Sequence, residues 1–357
     1  MEAYFHSLVR GERRGLIPGL LRAGCWTLSV PYGWAVRGRN WLFDHGWKKT
    51  LHAEVPVISV GNLTVGGTGK TPCVEYLARF FRRRNIRPAI LSRGYKGFSH
   101  GNDEALLLHE NLPDVPHLQG ADRVTLARLA VEELRSDILI LDDGFQHRSL
   151  HRDLNLLLID ATCPWGHGHL LPRGLLREPV SAVKRADMVL VTRCDQAGSQ
   201  EIREICEHVW YHAPRTPVLE TTHRPGPWIN AAKKTVPLAA LADRPWAAFC
   251  GIGNPDAFRR SLTQLGGQLC AWRTFPDHHN YDDGDLEDLR RWANQQPKDA
   301  VLVTTQKDLV KLRVDSMHDR ELWALQVQLH LMTHPAVLED RLLAMIEPAR
   351  IRTRLGA

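Results

Sequence analysis

The stretch Val57-Ile58-Ser59-Val60-Gly61-Asn62-Leu63-Thr64-Val65-Gly66-Gly67-Thr68-Gly69-Lys70-Thr71-Pro72 leaves this chain few folding options. It opens as an apolar run of strand length, turns through a glycine cluster and ends where a helix begins, marked by Val74, Leu77, Ala78 and Phe81 at helical spacing. That is the layout of a phosphate-binding loop. Gly66, Gly67, Thr68 and Gly69 form a turn whose N–H groups can point at phosphate oxygens. Lys70 reaches the β- and γ-phosphates, and the Thr71 hydroxyl can ligate Mg²⁺. Pro72 is tolerated because an N–H in the first helical turn has no partner to lose. The usual pattern places a glycine five residues before Gly69, where this chain has Thr64. The match is therefore G-K-T with two further glycines. A flexible surface loop would explain the glycines alone; the preceding strand and the following amphipathic helix favour nucleotide binding.

Strands and helices alternate downstream. A strand at Pro88–Ser92 leads into Arg93-Gly94-Tyr95-Lys96-Gly97, at the strand end where open α/β sheets bind ligands. A helix across 123–135 precedes the apolar strand 137–141, which runs into Asp142-Asp143. In a chain with a phosphate loop, that is where a Mg²⁺-ordering aspartate belongs. Strands follow at Leu154–Asp160 and Met188–Thr192, separated by a Gly/Pro-rich stretch from 164 to 179 that is long enough to be functional. Thr192-Arg193-Cys194-Asp195 lacks the Asn and Lys of a guanine-reading motif, so it reads as a strand end and ATP is favoured. Periodicity fades around 216–236, which contains Pro225 and Pro227. A second α/β run then starts at Trp246, with a helix after Asn254-Pro255, a helix from Gly284 to Asn294 and a strand at Ala300–Thr304. The expected architecture is α/β: a P-loop parallel-sheet domain over 51–215 and a second, smaller α/β domain over 216–357 closing over the active-site cleft.

The length of 357 residues suits about two such domains, and the seven cysteines form no C-x-x-C pair, which argues against a zinc site or disulfide framework and for a reducing cytosol. The net charge of +6 is local. Residues 1–50 carry eight basic side chains against three acidic, leaving +5, together with Trp26, Trp34, Trp41 and Trp47. Nucleic acid is one partner for a basic segment. Aromatic and aliphatic residues mixed with Arg and Lys fit a membrane interface better, so this amphipathic helical segment is expected to bind a membrane surface and no nucleic acid is expected. Simple packing of these helices on the domain is the plainer alternative. Arg22, Pro18 and Pro31 interrupt the apolar stretch, so a span is not expected, nor is a cleaved secretory signal.

These motifs, taken in order, resemble the tetraacyldisaccharide 4′-kinase family of lipid A biosynthesis. The resemblance rests on V-G-N-L-T-V-G-G-T-G-K-T-P at 60–72, S-R-G-Y at 92–95, N-D-E at 102–104, D-D-G-F-Q-H at 142–147, L-P-x-G-x-L-R-E at 171–178, G-I-G-N-P at 251–255, D-H-H at 277–279 and T-T-Q-K-D at 304–308. Thr64 is shared by that family; its G-D-E is N-D-E here, and its frequent T-T-E-K-D is T-T-Q-K-D. The resemblance implies transfer of the ATP γ-phosphate to the 4′-hydroxyl of an acylated glucosamine disaccharide 1-phosphate at the cytoplasmic face of the bacterial inner membrane. A monomer is expected.

Phosphoryl transfer needs positioning and charge neutralisation. Lys70 and the loop would hold the β- and γ-phosphates; Thr71 with Asp142, Asp143 or both would order Mg²⁺. The resemblance assigns proton acceptance from the sugar hydroxyl to Asp103, supported by His278 from the second domain, a pair expected to form on closure. Without it, Asp103 reads as a helix cap and His278 as a loop histidine. Arg93 is a candidate phosphate ligand or a structural ion pair. His147, Arg173 and Arg177 are weaker candidates for the substrate phosphate, and Lys307 and Asp308 read as a cap and surface charge. The rival function is a membrane-associated switch ATPase or GTPase of the partitioning or metallochaperone type, although such loops usually carry a Lys where this chain has Val65.

Overall fold

The computed structural model describes residues 2–94 and 103–347, in two compact units. One unit takes the described residues up to 94, Asn111–His223 and those from Leu329; the other takes 103–110 and Arg224–Gln328.

The first unit begins with α1 (Glu2–Val9) and α2 (Leu16–Asp44), a helix that continues through Pro31. Polar contacts seat α2: Tyr32 donates to Arg177 O at 2.9 Å, Asn40 Nδ2 to Glu178 Oε2 at 3.0 Å, and Arg148 to Asn40 O at 3.0 Å. Its apolar residues are left in solvent, with Leu16, Leu20 and Trp34 respectively 87%, 72% and 69% exposed. Among the described residues no helix is long and apolar enough to cross a membrane.

The chain then builds a parallel sheet: β1 (Val57–Asn62), α3 (Lys70–Arg82) and β2 (Pro88–Ser92), then α4 (Asp103–Asn111), β3 (His117–Gln119), α5 (Arg123–Glu132), β4 (Ile138–Asp142), β5 (Leu154–Asp160), β6 (Met188–Thr192), α6 (Ser199–His212) and β7 (Val218–Ile229). Strand order within this unit is β3-β2-β4-β1-β5-β6-β7. Strands β1, β2, β4, β5 and β6 are buried throughout, as expected of parallel strands covered on both faces. Leu139 and Leu141 of β4 pack with Ala127 and Ala130 of α5, while Leu157 and Val189 join Ile205 and Val209 of α6. Each of the leucine, isoleucine and valine side chains contributes about 1.5–3 kcal/mol by leaving water. Chain order reverses beside β1, which has β4 on one side and β5 on the other. Open α/β sheets bind ligands at such a switch point, outside the carboxyl ends of the strands.

The second unit takes the chain from Arg224 within β7 and continues through β8 (Thr235–Val236), β9 (Pro245–Cys250), α7 (Pro255–Gln264), β10 (Gln268–Thr274), α8 (Asp283–Asn294), β11 (Val301–Thr305), α9 (Gln306–Leu312), β12 (Ser316–Met317) and β13 (Arg320–Leu331). Strands β10, β9, β11 and β13 are parallel neighbours around a core of Trp246, Phe258, Val303 and Trp323.

The chain crosses between the units at 223/224 and not at 216, and the division differs in two further places. Residues 103–110 join the second unit through contacts with His278, Lys307 and Lys311. The chain after β13 returns to the first, where Thr333 Oγ1 accepts from Glu220 N at 3.0 Å and α10 (Pro335–Ala344) packs. The region of faded periodicity holds β7; its two prolines lie between the stretch paired with β6 (218–220) and that paired with β8 (228–229).

Candidate active site

The turn after β1 is built as the glycines require. Gly69 adopts φ 89° at the N-terminus of α3, and a Cβ there would lie 2.4 Å from His223 Nε2. Thr64 sits comfortably where glycine is usual because the backbone is still extended: it bridges to Leu176, with Val65 N donating to Leu175 O at 2.8 Å. Lys70 and Thr71 are buried in the first turn of α3. The Lys70 ammonium donates to Asn62 Oδ1 at 3.3 Å and lies 3.5 Å from Asp143 Oδ1.

Asp142 ends β4 opposite Val60 of β1, which puts the acidic pair beside the loop. A Cβ on Gly61 would come within 2.6 Å of Phe145 N, so only glycine lets the 143–145 turn approach β1 this closely. The structure separates the two aspartates. Asp142 is buried. Asp143, with a left-handed φ of 54°, receives Arg177 Nη1 at 2.9 and 2.7 Å as well as Lys70. Burial resists ionisation of Asp143, but Lys70 and Arg177 outweigh it and hold the carboxyl below the usual range. Arg123 feels the same field: burial foremost lowers its pKa, opposed by Asp143 and Asp142 and assisted by Arg93, itself exposed after β2. Gln146 Nε2 donates to Asn62 O at 2.9 Å. His147 is pushed down to about 4 by burial and by Arg123 and Arg152, and is neutral near pH 7. Arg173 donates to Val9 O at 3.4 Å.

A second group of charges lies within the other unit. His278, at φ 56°, places Nδ1 2.9 and 3.0 Å from the two oxygens of Asp103 at the start of α4. Because both residues belong to one unit, the pair is formed there and does not await closure. Lys307 donates to Glu104 Oε1 at 2.6 Å, and Lys311, one turn further along α9, lies 3.7 Å from Asp103 and 3.4 Å from Asp308. Burial opposes the charge on Asp103, yet the His278 hydrogen bond, Lys307 and Lys311 hold it well below the ordinary carboxylate range. The bond to Asp103 raises the His278 pKa against burial. Asp308 corrects the surface reading: it is fully buried and accepts from Gly251 N, Tyr281 and Thr305 at 3.1, 3.0 and 2.7 Å. Asn62, Gln146, Arg123 and Lys311 were not singled out from sequence; only the one-turn spacing of Lys307 and Lys311 hinted at a shared face. Tyr95, Lys96, Gly97 and Asn102 lie outside the described residues.

A family model described as tetraacyldisaccharide-1-P 4′-kinase matches residues 21–347. The chain belongs to that family. The tetraacyldisaccharide 4′-kinase of Syntrophus aciditrophicus is 39% identical over 329 residues, 85% of this chain and 87% of that protein. That of Anaeromyxobacter sp. (strain Fw109-5) is 37% identical over 97% of this chain and 95% of its own length. The crystal structure of the Aquifex aeolicus family member LpxK, in complex with ATP, superposes with TM-score 0.72 at 33% identity, covering 91% of this chain and 99% of that one. A kinase family match along nearly the whole chain removes the switch-protein alternative and makes this an ATP-dependent kinase.

The residues fit a magnesium nucleotide. The Thr68 hydroxyl is buried with no hydrogen-bond partner among the described residues, and the loop is open at Gly66 and Gly67, where a Cβ would meet nothing within 4 Å. Thr71 and Asp142 are hard oxygen donors of the kind Mg²⁺ takes alongside substrate phosphates. Among the described residues no group of three or more His, Cys, Asp or Glu could hold a metal ion.

Proposed function

We propose that this chain transfers the ATP γ-phosphoryl group to the 4′-hydroxyl of a tetraacylated glucosamine disaccharide 1-phosphate, working at the cytoplasmic face of the inner membrane. The observation that carries the reading is Lys70 set between Asn62 and Asp143 at the head of a phosphate loop, in a chain of this kinase family. Lys70 and the backbone of Gly66–Gly69 would bind the β- and γ-phosphates, and Asp143 with Arg177 keeps the Lys70 ammonium aimed along the loop. Thr71 and Asp142 would hold Mg²⁺, which would neutralise charge on the phosphates. Arg93 and Arg123 would add positive charge near the transferring group.

Asp103 would accept the proton of the sugar hydroxyl. Its depressed pKa makes it a poor base at rest, so the proton passes late, as the attacking oxygen gains its bond to phosphorus. His278, hydrogen-bonded to both carboxylate oxygens, sets the orientation of Asp103. The second unit is proposed to close during turnover, bringing this pair to the nucleotide. The exposed apolar and basic surface of α2 would dock on lipid, where an acylated substrate resides.

The test is a mixed-micelle assay with γ-labelled ATP, Mg²⁺ and tetraacyldisaccharide 1-phosphate, for wild type and Lys70→Ala. Label is expected in the lipid with wild type and lost with the variant or with EDTA. Release of inorganic phosphate alone would overturn the substrate assignment.

A further inference from the structure

The side of the phosphate loop turned away from open space is held by the ends of the next two strands. Thr192, the last residue of β6 and fully buried, donates its hydroxyl to Thr68 O at 3.0 Å. Arg193 donates Nη2 to Gly67 O at 2.7 Å, while its Nη1 pairs with Asp160 Oδ2 at the end of β5. Asp160 is itself anchored, its Oδ1 accepting from Thr162 N and Oγ1 at 3.0 and 2.7 Å. Arg193 and Asp160 are both buried, and Arg193 takes a left-handed φ of 57°, a strain that survives only where the surroundings over-determine the side chain. His223 walls the same side at Gly69.

A trans peptide makes this arrangement consequential. Its carbonyl and N–H lie in one plane and point in opposite directions. Holding Gly67 O therefore aims the Thr68 N–H, and holding Thr68 O aims the Gly69 N–H, away from β6. The Thr68 N–H is donated to Gly66 O at 3.1 Å, a short-range contact that a phosphate oxygen can replace. We propose that Thr192 and Arg193, the latter braced by Asp160, are positioning residues of the phosphate loop, fixing the peptide planes from which Thr68 and Gly69 offer their N–H groups to a nucleoside triphosphate. The proposal rests on the kinase reading in taking a nucleotide as the ligand of the loop. The same bonds polarise both peptides and strengthen their N–H groups as donors.

Calorimetric titration of the full chain with MgATP, with steady-state kinetics, tests it on Lys70→Ala, Arg193→Met, Arg193→Lys, Asp160→Asn and Thr192→Val. Losing one charge-assisted bond, Arg193→Met should weaken ATP binding and raise the KM for ATP about tenfold, with the KM for the lipid unchanged. Arg193→Lys should recover part of the loss, and Asp160→Asn should add little on top of Arg193→Met because the two act as one unit. Thr192→Val, which keeps size and strand propensity, should weaken ATP binding about threefold at unchanged Tm and decides the matter if Arg193→Met folds poorly. The proposal is overturned if Thr192→Val and Arg193→Met bind ATP within about twofold of wild type while Lys70→Ala does not bind. It is equally overturned if both KM values rise together as Tm falls, the mark of a structural role. If Lys70→Ala binds ATP like wild type, the nucleotide reading of the loop falls and takes the proposal with it.

Discussion

At the level of single residues, the pairing of Asp103 with His278 makes two separable predictions. Asp103→Asn keeps the shape but removes the proton acceptor, so kcat should fall about 10²–10⁴-fold at saturating substrates, with ATP binding retained. A kcat within a few-fold of wild type, measured in the micelle assay, would leave Asp103 as a helix-start residue. The stability effect of His278 runs with pH in a defined direction. Its folded pKa is raised, so its stabilising contribution is complete below the unfolded value of about 6.5 and fades as pH rises through the folded value. The Tm gap between wild type and His278→Gln should therefore be widest near pH 5 and shrink toward pH 9. A gap that widened with pH would contradict the charge pairing. Asp103 acts in the opposite sense: its depressed pKa gives stability that is present above the unfolded carboxylate range and is lost only as strong acid is reached.

At the level of elements, strand ends and helix starts do the positioning. The β1–α3 turn tolerates no side chain at Gly69: positive φ alone costs about 1 kcal/mol for alanine, and the Cβ would meet the His223 ring. Gly69→Ala should lower stability by about 1–3 kcal/mol and abolish ATP binding, as read by chemical denaturation and titration. An ordinary helix start gives the contrast. Asp122 caps α5 by accepting from Val124 N and Thr125 N at 3.0 and 3.2 Å, so Asp122→Ala should lower the Tm while leaving the kinetic constants alone. In the second unit, α9 shows how a short helix carries charge inward: Lys307 and Lys311 share one face, and Asp308 is buried under Lys311. Its sequence, polar at four of its seven positions, carries no sign of that burial, because the partners come from α4 and from the 275–281 loop.

For the whole molecule, the first fifty residues are proposed to be the surface by which it meets a lipid substrate. The exposed Leu16, Ile17, Leu20, Trp26 and Trp34 lie on α2, which polar contacts seat on the first unit, so this apolar surface is left over from folding, and the net charge of +5 is spread over residues 1–50, partly in the turns that flank the helix. At about 25 cal/mol per Å² of buried apolar area, two tryptophans are enough to change vesicle binding by at least roughly tenfold. Trp26→Ser with Trp34→Ser should weaken cosedimentation with anionic vesicles by that factor. Raising ionic strength to about 1 M should weaken the wild type, since screening shortens to roughly 3 Å. Vesicle binding indifferent to both changes would mean that α2 serves only to pack.

The amino-acid sequence by itself determined the nucleotide loop, the order of alternating strands and helices, the acidic end of β4 and the basic, tryptophan-rich start. All are written in short windows, where periodicity and a few obligatory glycines leave one local geometry. What the tertiary structure decided lies between positions far apart in the chain. Asp103 meets His278 across 175 residues, Arg193 reaches Gly67 across 126, and residues 103–110 join the second unit although the sequence around them reads as part of the first. Asp142 and Asp143, adjacent and identical in type, part company in the fold: Asp142 is buried at the end of β4, while Asp143 turns to φ 54° and meets Arg177 and Lys70. No local pattern carries such meetings, since they depend on which strand ends the sheet order brings side by side and on which charges must share a partner once water is excluded.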